Sequence, residues 1–140
     1  MNAHAMLRPT FALVLWTFVM WTWMYATRLP AMRRLRMKPD PDAVRGEQMA
    51  QLPPEVRWKA DNYNHLFEQP TLFYAVTLAL AVMGITSTLE VGLAWAYVAL
   101  RIVHSLVQSL VNKIEVRFAI FTLSSLVLLA LAIRGALLVV

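Results

Sequence analysis

The chain has no cysteine and few charged residues. The absence of Cys from all 140 residues excludes disulfides, thiolate metal ligands and cysteine nucleophiles, so any thiol chemistry must come from a ligand. Only 15% of the residues are charged, whereas 59% are hydrophobic and the mean hydropathy is +0.56. This composition is too apolar for an ordinary soluble domain of this length. We therefore predict an integral membrane protein.

Common cofactor motifs are also missing from the sequence. There is no His-x-x-x-His or Glu-x-x-His pair for a metal, and there is no Gly-rich loop for a phosphate. Ser105 follows His104 directly, but no third residue of a catalytic triad can be identified. Metal and nucleotide cofactors therefore have no support in the sequence.

The positive charge is concentrated in one part of the chain. The net charge of +5 could indicate a nucleic-acid partner, but eight of the thirteen Lys and Arg residues stand between Arg28 and Lys59. In a membrane protein such clustering marks a cytoplasmic connection. We predict that residues 30–54 form a cytoplasmic loop, that both termini lie outside, and that nucleic acid is not a partner.

Four apolar segments predict an all-α membrane protein, a four-helix transmembrane bundle forming one domain over residues 1–140. The first two helices are predicted at residues 9–28 and 54–84, and Pro70 should kink the second. The third is predicted at 88–112, with Ser87 and Glu90 as a capping box. The fourth is predicted at 117–138, interrupted near its end by Arg134-Gly135.

Two of these helices carry polar stripes. At 100° per residue, the stripe of the second helix spans about 60° of the helix surface, and the stripe of the third spans about 100°. Because one four-helix unit has no obvious way to shield both stripes from lipid, we expect contacts between subunits to cover them. The stripe of the second helix is Arg57, Asp61, Asn64 and Glu68, and that of the third is Arg101, His104, Ser105, Gln108 and Asn112.

The stripes have two interpretations. In the first, Arg101 and Arg117 pair with Asp61 and Glu68 and hold the helices in register. In the second, the arginines and amides bind carboxylates while a carboxylate binds an ammonium group, which describes a small ligand with both charges. His65 lies off its stripe, and we assign it a solvated role at the membrane interface.

The second helix resembles the signature of the MAPEG family, the membrane-associated proteins in eicosanoid and glutathione metabolism. The resemblance rests on a basic residue followed by Asn, Glu, Pro and an aromatic. It continues in the second half of the chain and covers residues 57–125, with the four-helix topology extending it to the whole. The matching residues are Arg57 or Lys59, Asn64, Glu68, Pro70 and Phe73, and later Arg101, His104, Ser105, Arg117 and Thr122.

The resemblance implies a homotrimer that binds glutathione between adjacent subunits near the cytoplasmic side. Arg117 occupies the position of the arginine that stabilises the glutathione thiolate in this family. A nearby cation can do so because it lowers the pKa of a thiol. The residues implied to hold the tripeptide are Arg57, Asn64, Glu68, Arg101, His104 and Gln108. A bacterial member in the inner membrane is expected, with lipophilic electrophiles or hydroperoxides as second substrates.

The chain departs from the eicosanoid-forming members at several positions. Those enzymes usually have Tyr, Ser and Tyr where Gln108, Phe118 and Phe121 stand, and a spacing of three from Asn to Glu where this chain has four. The departures favour a broader glutathione transferase or peroxidase. The alternative is a non-catalytic lipid-binding or assembly protein that keeps the stripes for helix registry.

Overall fold

The computed structural model describes residues 4–140, and their regular secondary structure is entirely helical. Three of the helices, α1, α5 and α6, are long and apolar enough to cross a membrane. A fourth, bent element consists of α3 and α4. The all-α membrane class is thus confirmed, with three straight helices and one bent one. The bounds are α1 Leu7–Arg34, α2 Glu47–Ala50, α3 Pro54–His65, α4 Pro70–Val82, α5 Thr88–Leu110 and α6 Ile114–Val139.

The first helix is longer than predicted. It runs to Arg34 and contains Pro30, where the sequence predicted the start of a loop, and that boundary was wrong. Helices in membranes tolerate an internal proline when neighbouring groups compensate for the lost hydrogen bond. The remainder of the predicted loop includes the one-turn helix α2 and packs through a small apolar cluster of Ala31, Leu52 and Val56.

The second predicted helix is broken rather than kinked. Residues 66–69 form tight turns between α3 and α4, and Pro70 becomes the first residue of α4, where its missing N–H is not needed. Gln69 holds this break in place. Its Nε2 donates to Ser125 Oγ of α6 at 2.8 Å, and its Oε1 accepts from the Tyr97 hydroxyl of α5 at 3.3 Å.

Two further local predictions were wrong. Ser87 makes no capping hydrogen bond at the start of α5, and Glu90 does not complete the predicted box, because its side chain accepts from Arg134 Nε at 2.6 Å. The fourth helix is continuous through Arg134 and Gly135. Gly135 lies beside Leu80 of α4, where an added Cβ would stand 3.4 Å from Leu80 Cδ2, an ordinary packing distance.

The spans run antiparallel in chain order. Thr10 near the start of α1 donates to Thr77 near the end of α4 at 2.9 Å, and Glu90 at the start of α5 meets Arg134 near the end of α6. We call the end where α1 and α5 finish the basic end, and the opposite end the far end. The core between them is largely apolar, with Phe73 stacked on Tyr97 at 4.7 Å.

Candidate functional site

The polar face of α5 is buried inside the protomer. Arg101 and Ser105 are 0% exposed, His104 is 1% exposed and Gln108 is 3% exposed. The expectation that subunit contacts are needed to cover this stripe was therefore wrong, because α3 and its neighbours already cover it. The stripe of α3 differs: Arg57, Asp61, Asn64 and the following Glu68 are all exposed.

Arg101 and His65 form the centre of the basic end. Arg101 Nη2 lies 3.3 Å from His65 Nδ1 and 3.5 Å from the His65 carbonyl oxygen. The other two guanidinium nitrogens of Arg101 are buried and contact no hydrogen-bond partner within residues 4–140. The interfacial role assigned to His65 was wrong. His65 does lie off the stripe of α3, but that stripe is exposed, whereas His65 lies on a side of the helix that contacts α5.

A cavity of about 230 Å³ opens beside this pair. The His65 ring lies 5.1 Å from that of His104 and 5.3 Å from that of Phe121, centroid to centroid. We call this cavity the histidine pocket; it is lined by His65, His104, Ile114, Arg117, Phe118 and Phe121. It combines two imidazoles and a guanidinium with aromatic walls.

Arg117 reaches the histidine pocket from the first turn of α6. Its Nη1 donates to Asn112 Oδ1, and Asn112 adopts a left-handed backbone (φ 52°) between α5 and α6. The Nε of Arg117 is buried and lacks a hydrogen-bond partner in the described chain. One side of the guanidinium is thus fixed by the turn, which leaves donors for an anion in the pocket.

Glu68 lies at the rim, in the break between α3 and α4. Its Oε2 is 3.7 Å from His65 Nδ1, and its side chain is 72% exposed. The predicted registry pairs of Arg101 and Arg117 with Asp61 and Glu68 were wrong. Within residues 4–140, the close acid–base pairs are His65 with Glu68 and Glu90 with Arg134.

A second cavity, of about 430 Å³, holds the other predicted residues of α3. Arg57 and Asn64 line it together with Asp61, and the sequence analysis did not identify its two further arginines, Arg28 and Arg45. We call it the arginine pocket. Its basic residues come from α1, the 35–53 connection and α3, a convergence that spacing within one helix cannot predict.

The opposite face of α3 forms a buried polar seam with α5. Lys59 Nζ donates to the Glu55 carbonyl at 2.8 Å and lies 3.4 Å from the Ser109 carbonyl oxygen. Asn62 is 0% exposed, and neither atom of its amide has a hydrogen-bond partner in the described chain. Gln108 of α5 is buried and lines neither the histidine pocket nor the arginine pocket. Asn62 was missed because it lies off the predicted stripe, and Lys59 was named only as the alternative to Arg57 in the family resemblance.

The seven predicted site residues therefore do not share one cavity in one chain. His104 and Arg117 line the histidine pocket, with Arg101 and Glu68 beside it, whereas Arg57 and Asn64 line the arginine pocket. Cations with unused donors suit an anionic ligand, and aromatic walls suit its apolar part. The arrangement can bind a carboxylate or thiolate beside an apolar substrate.

Comparison with known proteins agrees with this architecture. No curated protein and no solved structure matches the chain significantly. The sequence model described as "MAPEG family" matches residues 6–137, which include α1 to α5, all but the last two residues of α6, and both pockets. The chain therefore belongs to the MAPEG family, and it is an integral membrane protein of that fold.

Proposed function

We propose that this protein is a membrane-embedded glutathione transferase or peroxidase that activates the thiol of glutathione. The observation that carries the proposal is the set of buried guanidinium nitrogens without hydrogen-bond partners in the described chain, on Arg117, which lines the histidine pocket, and on the fully buried Arg101 beside it. A buried charge without partners is costly, and a bound anion offsets that cost. Family membership supports glutathione as the ligand that supplies the anion.

In this mechanism Arg117 stabilises the thiolate. Its guanidinium lies at the pocket, and a cation beside a thiol increases the fraction of nucleophilic thiolate. Glu68 accepts the ammonium group of glutathione, and Arg101 and His104 donate to its carbonyl and carboxylate oxygens. Gln108, which is 3% exposed, supports His104 from the buried face of α5.

Arg57 and Asn64 enter the site through a homotrimer. We propose that the arginine pocket of one subunit and the histidine pocket of its neighbour hold opposite ends of one glutathione molecule. The exposure of Arg57 and Asn64 supports this arrangement, because their side chains are available to a second subunit. Native mass measurement in mild detergent should show a trimer, and a stable, glutathione-binding monomer would overturn the shared site.

The second substrate is a lipophilic electrophile or hydroperoxide that enters from the membrane. In transfer, the thiolate sulfur forms a bond to an electrophilic carbon, which breaks the carbon bond to its leaving group. In peroxide reduction, two glutathione molecules are oxidised to the disulfide while the hydroperoxide becomes an alcohol and water. The aromatic side chains Phe118 and Phe121 suit an apolar substrate beside the thiol.

Replacing Arg117 by Leu tests the catalytic role. We expect the thiolate absorbance of bound glutathione to disappear and turnover of a model electrophile to fall about 100-fold, the usual cost of one preorganised donor. Lys113→Leu is the control, because it removes a cation from the exposed connection four residues earlier. Equal losses in both variants would show that general charge, not Arg117, supports activity.

The alternative is a non-catalytic lipid-binding or assembly protein. It requires that the polar groups satisfy one another, yet several buried donors around Arg101 have no partner in the described chain. Under this alternative Arg117→Leu destabilises the assembly, and glutathione does not stabilise the parent protein.

We further propose a bacterial inner-membrane location, with the basic end in the cytoplasm. The basic residues of the 35–53 connection support this orientation. The chain has no native cysteine, so single-cysteine variants give a clean test. A cysteine at Lys38 should react with a membrane-impermeant maleimide only after lysis, whereas a cysteine at Ser87 should react in intact spheroplasts. The reverse pattern would contradict the orientation.

A further inference from the structure

A third cavity, the α1–α3 groove, lies at the basic end between the end of α1 and the start of α3. Its volume is about 480 Å³, and none of its lining residues lines the histidine pocket or the arginine pocket. It therefore has no part in the proposed glutathione site. Most of its wall is apolar, with contributions from Ala26, Pro30, Ala31, Leu35, Pro53 and Val56.

The floor of the groove is fixed by packing. Ala31 of α1 and Val56 of α3 are 8% and 9% exposed, and both pack against the buried Leu52. This cluster joins the two helices that form the walls, so packing of the core fixes the shape of the groove. Its apolar floor suits hydrocarbon.

Two opposite charges face each other across the groove. Arg34 belongs to the last turn of α1, and Glu55 belongs to the first turn of α3. Both side chains are exposed, and no ion pair joins them in the part of the chain that the structure describes. Lys59 donates to the main-chain carbonyl of Glu55, which leaves the carboxylate available. The mouth therefore suits a headgroup that carries both a negative and a positive charge.

Pro30 adds a hydrogen-bond acceptor to the same groove. Because proline has no N–H, the carbonyl of Ala26 lacks the amide donor that normally follows four residues later. The hydroxyl of the adjacent Thr27 donates to the carbonyls of Trp23 and Met24 instead. Ala26 lines the groove, so its carbonyl oxygen can accept from a ligand with N–H donors. A primary ammonium has such donors, whereas a quaternary one has none.

The position of the groove identifies the kind of ligand. α1 is a membrane span, and its last turn carries Arg33 and Arg34, followed by the exposed Arg36 and Lys38. Basic residues that follow a span directly lie at the level of the lipid headgroups. The exposed Leu35 continues the apolar wall at this level.

We propose that the α1–α3 groove binds a glycerophospholipid with a primary-amine zwitterionic headgroup, phosphatidylethanolamine. The phosphate accepts from Arg34, and the ammonium donates to the Glu55 carboxylate and the Ala26 carbonyl. The glycerol and the first acyl carbons lie along Ala31 and Val56. This binding is independent of glutathione and goes beyond the proposed function.

Native mass spectrometry of the full chain with short-chain phospholipids tests the proposal. Phosphatidylethanolamine should bind about fivefold more tightly than phosphatidylcholine or phosphatidylglycerol, a modest ratio because both charges are exposed. Inorganic phosphate should not displace the lipid, since it lacks the ammonium and the acyl chain. Equal binding of the three lipids, or displacement by phosphate alone, would overturn the proposal.

Two variants assign the contacts. Glu55→Gln should remove the preference for phosphatidylethanolamine, and Arg34→Gln should weaken binding of phosphatidylethanolamine and phosphatidylglycerol alike. Arg33→Gln is the matched control, because it loses the same charge one residue earlier and does not line the groove. A loss with Arg33→Gln as large as with Arg34→Gln would show that only the general basic charge attracts lipid. Should Arg34→Gln unfold, the headgroup preference of Glu55→Gln decides the outcome alone.

Discussion

The two ends of the bundle both bury a charged residue of α5, but they satisfy it differently. At the far end, Glu90 is 1% exposed, and its Oε1 accepts from Arg134 at 2.6 Å, although its Oε2 has no hydrogen-bond partner in the described chain. At the basic end, Arg101 is fully buried over the Phe121 ring, its guanidinium hydrogen-bonds only to His65, and no carboxylate pairs with it among the described residues. A buried charge with a counter-charge can be structural, whereas a buried cation without one has donors available for an anionic ligand. The comparison therefore supports a structural role for the far end and the proposed binding role for the basic end.

Arg134→Leu should give the largest effect, because it leaves the buried Glu90 without its partner. Removing one member of a buried pair costs about 3 to 5 kcal/mol, and we expect the lower end since Arg134 is 44% exposed. Denaturation in mixed micelles measures the free energy of unfolding. Glu115→Gln, which changes an exposed carboxylate, is the control. A loss below about 1 kcal/mol would contradict the structural role of the far end.

Arg101→Leu should give the opposite result at the basic end. Removing an incompletely paired buried cation should leave the free energy of unfolding unchanged or higher, since the desolvation cost of the cation disappears and offsets the cost of the smaller volume of Leu. The affinity for glutathione should fall at least about tenfold, as for a lost charge-assisted hydrogen bond. Titration and unfolding of the same variant measure both quantities. Destabilisation as large as that of Arg134→Leu would remove the difference between the two ends.

The sequence predicted what depends on periodicity and composition. The apolar segments predicted the membrane class, and the 3.6-residue period placed Arg101, His104 and Gln108 on one face of α5. The period failed where the helix breaks before Pro70, and it could not show that the stripe of α3 is exposed while His65 contacts α5. The partner of Arg134 and the arginines that line the arginine pocket with Arg57 come from other parts of the chain, so periodicity within one helix gives no information about them.

Glu68→Gln should have a smaller effect. The side chain is 72% exposed, so its attraction for the ammonium group of glutathione is screened by solvent. We expect the half-saturating glutathione concentration to rise about threefold, with little change in the saturated rate. Steady-state kinetics with varied glutathione check this expectation. A lower saturated rate at an unchanged half-saturating glutathione concentration would show that Glu68 acts in the chemical step and not in binding.

Ser87→Ala should have the smallest effect. Loss of a working helix cap usually costs about 1 kcal/mol, but Ser87 makes no capping hydrogen bond here. We expect a change below about 0.5 kcal/mol in the free energy of unfolding. A full capping loss would show that Ser87 does cap α5 and would contradict the uncapped start of this helix.

Glutathione titration of the purified protein, followed by thermal unfolding in detergent, tests the central claim most directly. A ligand that binds only the folded state raises the unfolding temperature by an amount that grows with the logarithm of its concentration once that exceeds the dissociation constant. We expect this concentration-dependent stabilisation by glutathione in the parent protein and in Arg134→Leu, and a much weaker response in Arg101→Leu. An unchanged unfolding temperature at millimolar glutathione in the parent protein would contradict a glutathione site at the basic end.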